Sequence, residues 1–300
     1  MFCHANLAAD IDQAEARQMI AIAHGAAAWD ASLRPFIVPV GRGAAIYAGP
    51  GSPTNKMIGI GFGEALDAAV LDDVEARFAA CGTPVQAEVS VLAEPAVHAQ
   101  LAARGYRLSG FEHVLGHPLG AAIAALLDGV AIDAAAPGEV RTLGDVMVEA
   151  FASPDVGGVG GDAIPPPAEL RRWFDITMSA EGFRAYVARV DGAIAGGGAM
   201  RLDGDVAQFS GAGTLPRFRR RGVQTALLRA RLSEAAAAGC TIGVVVTQPG
   251  SKSQQNTQRE GFALLYARQL LVKPAPYLPS ADASRRPQRV GLLLTDWMPT

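Results

Sequence analysis

The stretch LPRFRRRGVQTALL, residues 215–228, combines residue types that bind anions. Four arginines stand close to a single glycine, Gly222, just before a run rich in alanine and leucine. Guanidinium groups and the backbone N–H groups at the start of a helix both bind phosphate oxygens. The stretch therefore predicts either a surface patch for nucleic acid or a cradle for one phosphorylated small molecule.

The elements around this stretch predict an α/β domain. Residues 183–215 contain three apolar runs broken by Asp191-Gly192 and Asp203-Gly204, a pattern typical of an antiparallel meander. From Val223 apolar residues recur at helical spacing until Gly239, which is placed as a C-terminal cap. The next elements are predicted as strand, helix and strand, at 241–248, from Ser251 or Ser253 to Gly261, and at 262–272.

Arg219 to Gly222 would join a strand to the N-terminus of the predicted helix. The first N–H groups of a helix lack partners within it, and the positive end of the helix dipole lies there. A glycine at this joint lets the backbone approach an anion closely, so a pyrophosphate fits. A Walker loop needs Lys followed by Ser or Thr, which this stretch lacks, so ATP and GTP are not expected. The alternative is a solvated turn before an alanine-rich helix.

At this point the residues resemble the GCN5-related N-acetyltransferases (GNAT). The pyrophosphate loop of that family reads Arg/Gln-x-x-Gly-x-Gly/Ala, and the pattern falls on Arg219, Gly222 and Gln224. Gln224 departs from Gly/Ala but still offers its backbone N–H. The resemblance extends to GTLP before the loop and to PGSKSQQNTQREGF after it, and it covers roughly residues 137–274. It implies an α/β (α+β) fold with a mixed sheet and acetyl-CoA as co-substrate.

The resemblance also implies which residues contact acetyl-CoA. Gly213, Thr214 and Leu215 would follow the pantetheine arm, and the helix after the loop would flank the same arm. The complete set of implied contacts is Gly213, Thr214, Leu215, Arg219, Arg220, Arg221, Gly222, Val223, Gln224, Thr225, Ser251, Ser253 and Asn256. For Ser251, Ser253 and Asn256, a plain helix-capping role is the alternative.

The first half of the chain repeats the same order of elements more faintly. Gly82 matches Gly239 at an offset of 157 residues, and Gly105-Tyr106 matches Gly261-Phe262 at an offset of 156. Two landmarks at nearly one offset predict an internal duplication. We expect a degenerate GNAT-like domain at 1–120, a linker with a helix at 117–140 (linker proper 121–136), an acyl-CoA-binding domain at 137–275, and an irregular tail at 276–300.

The first copy is not expected to bind CoA. The counterpart of the arginine loop there falls on Phe62 to Ala65 and carries Glu64, with Asp67 shortly after it. Two carboxylates at the positive end of a helix would repel a pyrophosphate. The first domain is therefore expected to shape the acceptor pocket or to stabilise the pair of domains.

Composition argues against several other classes of protein. The net charge is −3 and the chain has only three lysines, so nucleic acid is not an expected partner of the arginines. The three cysteines lack the spacing of a zinc site, and no metal is expected. No apolar run reaches the length of a membrane span, and the N-terminus lacks the pattern of a secretory signal. These observations predict a cytoplasmic protein, and they leave a homodimer open.

Catalytic residues are harder to assign from the sequence. Many GNAT members use a Glu on the fourth strand and a Tyr four residues before the Gly-Phe, where this chain has Gln208 and Thr257. Tyr266 on the last strand is the nearest candidate proton donor, with a core or rim position as the alternative. Side chains that could attract a cationic amine are Glu149, Asp155 and Asp162. None of the five histidines has a partner at metal or triad spacing.

The sequence therefore predicts a tandem GNAT-like protein that transfers an acetyl or short acyl group from CoA to an amine. The acceptor would be a small molecule or a peptide, which no motif identifies. The alternative is a CoA-binding regulatory module without turnover, because the usual Glu and Tyr are missing.

Overall fold

The structure is a computed structural model that describes residues 2–63, 65–120, 123–125, 127–153 and 165–275. Glu64, residues 154–164 and the expected tail at 276–300 are among the residues that lie outside the described ranges.

The first half of the chain contains three helices and five strands in the described ranges. They are α1 (Ala5–Trp29), β1 (Phe36–Val40), β2 (Gly43–Tyr47), β3 (Lys56–Ile58), α2 (Ala68–Ala80), β4 (Val85–Ser90), α3 (Pro95–Ala103) and β5 (Arg107–Pro118). The second half contains β6 (Ala131–Ala134), α4 (Val140–Ala152), α5 (Pro167–Ser179), β7 (Phe183–Val190), β8 (Ala193–Asp203), β9 (Val206–Thr214), α6 (Val223–Ala237), β10 (Ile242–Thr247), α7 (Lys252–Arg259) and β11 (Ala263–Lys273). The order predicted for 183–272 agrees with β7 to β11.

The segment 117–140 differs from its prediction. A helix was expected, but the described residues there contain the end of β5 and strand β6, with α4 beginning only at Val140. Ala131 to Ala134 pair with Tyr186 to Arg189 of β7. Pairing at a sheet edge here overrides the weak helical preference of an alanine-rich segment.

The described chain divides into two compact units. The N-terminal unit consists of 3–111 together with 266–275, and the C-terminal unit consists of 112–265. The two halves of the chain thus exchange strand segments: most of β5 belongs to the C-terminal unit, and most of β11 belongs to the N-terminal unit. The expected domains were continuous in sequence, and the units differ from them because a local pattern does not specify which strands pair.

In the N-terminal unit, the strand order is β1-β2-β3-β4-β11. Strands β3 and β4 are parallel, whereas β4 and β11 are antiparallel, from Arg268 opposite Ser90 to Lys273 opposite Val85. In the C-terminal unit, the order is β5-β10-β9-β8-β7-β6. There β9 and β10 are parallel, and the other neighbours are antiparallel. Each unit therefore contains one parallel pair followed by an antiparallel strand from the other half of the chain.

Two apolar clusters hold the C-terminal unit together. Helix α6 packs Leu227, Leu228 and Leu232 in one cluster with Phe209 of β9, Val245 of β10 and Phe262, the residue before β11. Helices α4 and α5 pack on β7 through Leu143, Met147, Leu170, Phe174 and Val187. These clusters fix the helix after the arginine loop against the two parallel strands.

The glycines that suggested a duplication end four helices in the same way. Gly82 and Gly239 have φ angles of +62° and +90°, and Gly105 and Gly261 have +88° and +89°. The N–H of each glycine donates to the carbonyl of the second-last residue of its helix. The N–H of the residue after the glycine donates to the carbonyl of the third-last residue. This is the Schellman arrangement, which a left-handed glycine makes easy. The shared geometry supports the duplication, which stays a prediction.

None of the helices in the described ranges is long and apolar enough to cross a membrane.

Candidate functional site

The arginine loop leads into an uncapped helix. Gly222 is the N-cap of α6 with φ +80°, and among the described residues no side chain caps that helix. A left-handed N-cap followed by helical residues directs consecutive N–H groups to one side, which forms an anion-binding concavity. Arg220, two residues earlier, also has a positive φ of +61°. The first turn of α6, Val223 to Thr225, therefore presents backbone donors at the positive end of a helix.

The arginines of the loop have different tasks. The guanidinium of Arg219 donates to the carbonyl oxygens of Thr214 (3.4 Å), Ala150 (3.4 Å) and Ser153, and so ties the loop to the end of α4. Arg221 pairs with Asp191 at 2.9 Å. Arg220 is exposed, and within the described parts of the chain it has no ion-pair partner. Arg220 is thus the loop arginine with a side chain available to an outside anion.

The strands before the loop separate at their carboxyl ends. β9 and β10 pair from Val206–Ile242 to Gln208–Val244, whereas β9 continues to Thr214 and β10 to Thr247. The ends of parallel strands are the usual place for ligands in α/β sheets. The separation exposes backbone groups of β9 along one side of the cleft.

Three hydroxyl groups at this end of the sheet are buried and lack hydrogen-bond partners among the described residues. They belong to Thr214 at the end of β9, Thr247 at the end of β10, and Ser253 in the first turn of α7. All three residues are at most 2% exposed. Buried hydroxyls are costly without a partner, so these atoms fit a polar chain that enters between the strands. The three hydroxyls could donate to or accept from the polar groups of an extended ligand.

The residues expected to contact CoA all lie in the C-terminal unit. Gly213, Thr214 and Leu215 are buried at the end of β9, and Leu215 donates its N–H to Ala195 at 2.9 Å. Val223 points into the core, Gln224 is half-buried, and the Thr225 hydroxyl contacts Glu260 at 3.1 Å. Ser251 accepts from the N–H of Gln254 at 3.2 Å, so it caps α7, while Asn256 is half-buried on that helix.

The corresponding helix of the N-terminal unit, α2, has its N-terminus capped by a side chain. Asp67 is the N-cap of α2, and its carboxylate accepts from the N–H of Ala69 at 2.8 Å. A carboxylate already satisfies this helix end and adds a negative charge where an anion would bind. The prediction for Asp67 at the positive end of a helix is confirmed by this cap. Glu64 lies outside the described residues.

Tyr266 lies in the N-terminal unit, apart from the other expected site residues. Its hydroxyl is buried and donates to Asp12 at 2.5 Å, and Asp12 also accepts from Arg268 at 2.6 Å. Arg268 pairs in addition with Glu15 at 2.7 Å. Burial and the negative charge of Asp12 raise the pKa of Tyr266 well above its usual value. This network explains the tyrosine without a catalytic role.

The remaining side chains considered for catalysis or for attraction of an amine do not form a common site in the described residues. Glu149 pairs with Arg217 at 3.2 Å on the surface. Asp155 and Asp162 lie outside the described residues. Thr257 is buried and donates to the carbonyl of Ser253 at 2.8 Å. None of these contacts forms an acid–base pair.

Sequence reasoning missed Thr247 and His113. His113 lies on β5, directly opposite Thr247 at the end of β10. Its Nδ1 atom is buried and, among the described residues, has no partner. The exchange of strand segments brings this histidine to the C-terminal unit, and no local pattern in the sequence signals that exchange. No group of three or more His, Cys, Asp or Glu residues in the described ranges is arranged to hold a metal ion.

Comparison with known proteins finds similarity to one family and to several solved structures. Residues 154–262 match the Acetyltransferase (GNAT) family. The fold resembles a GCN5-related N-acetyltransferase from Kribbella flavida, with 19% identity, a TM-score of 0.58, and coverage of 88% of this chain and 96% of that one. It also resembles a tandem GNAT protein from the clavulanic acid biosynthesis pathway, with 15% identity, a TM-score of 0.55, and coverage of 78% and 79%.

A GCN5-related N-acetyltransferase from Sphaerobacter thermophilus matches with 17% identity, a TM-score of 0.51, and coverage of 70% of this chain and 67% of that chain. No curated protein matches the sequence. At these identities the solved structures show the fold, and the family match covers the segment that contains the arginine loop, β9, β10 and α7. Residues 154–262 are therefore similar to the GNAT acetyltransferase family, and the chain has a mixed α/β fold like that of GNAT proteins, tandem ones included.

Proposed function

We propose that the C-terminal unit binds acetyl-CoA, or another short acyl-CoA, as co-substrate and transfers the acyl group to an amine of a small molecule or peptide. The observation that carries the proposal is the open N-terminus of α6, where Gly222 has a left-handed conformation and no side chain of the described residues takes the cap. The closed N-terminus of α2 is an internal comparison, because Asp67 fills the same position there. The proposal therefore assigns acyl-CoA binding to the C-terminal unit alone.

In this proposal each part of the site binds a different part of the co-substrate. The N–H groups of the first turn of α6 hold the pyrophosphate, and Arg220 adds a positive charge from the surface. The backbone at Gly213 and Thr214 and the hydroxyls of Thr247 and Ser253 bind the amides of the pantetheine arm. Arg219 and Arg221 keep the loop in place through their bonds to Ser153 and Asp191.

For the proton acceptor we propose His113. The thioester supplies the acyl group: the amine nitrogen bonds to the carbonyl carbon, the C–S bond breaks, and the sulfur leaves with its electron pair. The amine loses one proton in this step, and the imidazole of His113 accepts it and then returns it to the thiolate. The strand register supports this choice because His113 stands opposite the last residue of β10, where β9 has already separated. Tyr266 receives a structural role in place of the catalytic one.

The direct test uses the full chain with acetyl-CoA. Calorimetry should show 1:1 binding, and a panel of primary amines should release free CoA thiol in at least one case. The absence of binding would overturn the proposal. Binding without thiol release for any amine or peptide acceptor would favour the regulatory module.

A further inference from the structure

Arg231 is a buried cation without an acidic partner. It lies on α6, its side chain is fully buried, and no carboxylate among the described residues pairs with it. Its Nε donates to the carbonyl of Leu227 at 3.0 Å, and its Nη1 donates to Ala199 at 2.9 Å and to Ser210 at 3.5 Å. The guanidinium also lies 5.1 Å from the ring centre of Phe209. All its protein acceptors are backbone carbonyls.

Burial of an arginine without an acidic partner lowers the stability of the fold. Burial lowers the pKa of Arg231 to about 10, because the low-dielectric interior disfavours the charged form. Its neighbours on the buried face of α6 are leucines, and an apolar side chain there would avoid the cost of burying a charge. The guanidinium is therefore expected to satisfy a local need that an apolar side chain cannot meet.

The need arises at a β-bulge between β8 and β9, whose backbone carbonyls require hydrogen-bond donors. Gly197 stands opposite Gly213 and Ala199 opposite Ser210, so Gly198 faces two residues of β9. One of the two, Gly211, has φ +55°. A bulge interrupts the ladder of hydrogen bonds and turns the strand, which leaves buried carbonyls in need of donors. Arg231 supplies donors to the carbonyls of Ala199 and Ser210, which flank the bulge.

A side chain at position 198 would crowd this contact. A Cβ atom there would lie 3.1 Å from Nη1 of Arg231 and 3.4 Å from Cβ of Ala212. The absence of a side chain lets the guanidinium reach the bulge. Gly198 and Arg231 thus form one arrangement, although they are 33 residues apart in the sequence.

The bulge begins where β9 leaves β10. The last parallel pair is Gln208 with Val244, and Ser210 follows two residues later. We propose that Arg231 is a positioning residue for acyl-CoA binding: it holds the bulge, and the bulge directs residues 211–214 of β9 away from β10, which keeps the cleft open. This inference rests on the proposed function, because it concerns the same cleft.

The test compares Arg231→Met, which keeps much of the side-chain length but removes the donors, with Arg231→Lys, which keeps the charge but has a single terminal nitrogen. Charge-assisted hydrogen bonds are worth about 1.5–3 kcal/mol each, so we expect Arg231→Met to raise the Kd for acetyl-CoA by about 10-fold to 100-fold. Arg231→Lys should lie between Arg231→Met and the unaltered protein. The KM for the amine should stay within about twofold, because the acceptor does not bind along β9 in this proposal.

Two further measurements separate positioning from loss of stability. Val190→Ala removes core volume on β7 but leaves the bulge carbonyls their donors; it should lower the free energy of unfolding and leave the Kd unchanged. Hydrogen exchange should quicken at the amides of 210–214 in the Arg231 variants and not in Val190→Ala. If Arg231→Met is unfolded, Arg231→Lys and Gly198→Ala, which crowds Nη1, test the same contact.

The outcomes distinguish this inference from the proposed function. An unchanged Kd in a folded Arg231 variant, or an equal loss of affinity in Val190→Ala, overturns the inference. If the unaltered protein does not bind acetyl-CoA, the proposed function fails. The exchange rates at 210–214 would in that case still show whether Arg231 holds the bulge.

Discussion

Replacement of Gly222 gives the sharpest test of the anion site, because two substitutions of the same shape differ only in charge. Asp and Asn both tolerate left-handed backbone better than other residues, and both are good N-caps. Their Cβ atom would lie 2.8 Å from Cδ1 of Leu127, the flexible end of a side chain, so both variants require the same small shift. Any difference between Gly222→Asp and Gly222→Asn therefore reports the carboxylate charge.

The expected magnitude follows from the half-buried position of Gly222. Two unit charges 4 Å apart repel by about 1 kcal/mol in water and by about 4 kcal/mol at the effective dielectric constant of a protein surface. At 1.4 kcal/mol per factor of ten, Gly222→Asp should bind acetyl-CoA about fivefold to about a thousandfold more weakly than Gly222→Asn. Both variants carry the same strain of a side chain at positive φ, so their free energies of unfolding should be similar and the difference in affinity should not come from a difference in stability.

Calorimetry at low and high salt, with urea melts of both variants, measures these quantities. The difference in Kd should shrink as the salt concentration rises, because salt screens the repulsion. Equal affinity of the Asp and Asn variants at low salt would refute the assignment of Gly222 to a pyrophosphate site. Dephospho-CoA, which keeps the pyrophosphate but lacks the 3′-phosphate, should show most of the same difference.

Three other substitutions test the remaining assignments. Asp67→Ala removes the cap of α2, so the free energy of unfolding in urea should fall by about 1 kcal/mol while the Kd for acetyl-CoA is unchanged; weaker binding would show that the N-terminal unit takes part. Tyr266→Phe removes one of the donors to the buried Oδ1 of Asp12, which Arg268 continues to contact, and we expect a loss of about 1–3 kcal/mol in thermal or urea unfolding. Because burial raises the pKa of Tyr266, its hydroxyl stays protonated throughout the assay range, and the rate–pH profile should not change; a changed profile would restore a catalytic role. His113→Gln should lower kcat and leave the Kd for acetyl-CoA unchanged, whereas an unchanged kcat would exclude His113 as the base.

The sequence predicts the local structure correctly where the conformation of a residue depends on its neighbours in the chain. Gly239 and Gly261 end helices by a left-handed turn that glycine adopts readily, and Asp67 caps a helix from within its own first turn. The arginine loop was placed correctly for the same reason, since Gly222 is both a turn residue and an N-cap.

The sequence was insufficient where long-range pairing decides. Nothing in RLSGFEHVLGHP indicates that its second half pairs with β10, and for that reason His113 was not recognised. Arg231 lies in a helix next to other arginines, and only the bulge 19 to 33 residues earlier in the sequence explains why it is buried. The structural role of Tyr266 has no signal in the sequence, because its hydrogen-bond partner Asp12 lies 254 residues earlier in the chain.

The exchange of strand segments has a consequence for synthesis on the ribosome. The N-terminal unit includes 266–273, of which Arg268 to Lys273 pair with β4. When the ribosome has made the first half of the chain, β4 still lacks this neighbour, and its edge is open to other strands. Translation proceeds at about 5–20 residues per second, so the open edge lasts for several seconds at least. Truncation before residue 266 should therefore yield an aggregation-prone first half rather than an isolated domain, because β11 completes the first unit to emerge.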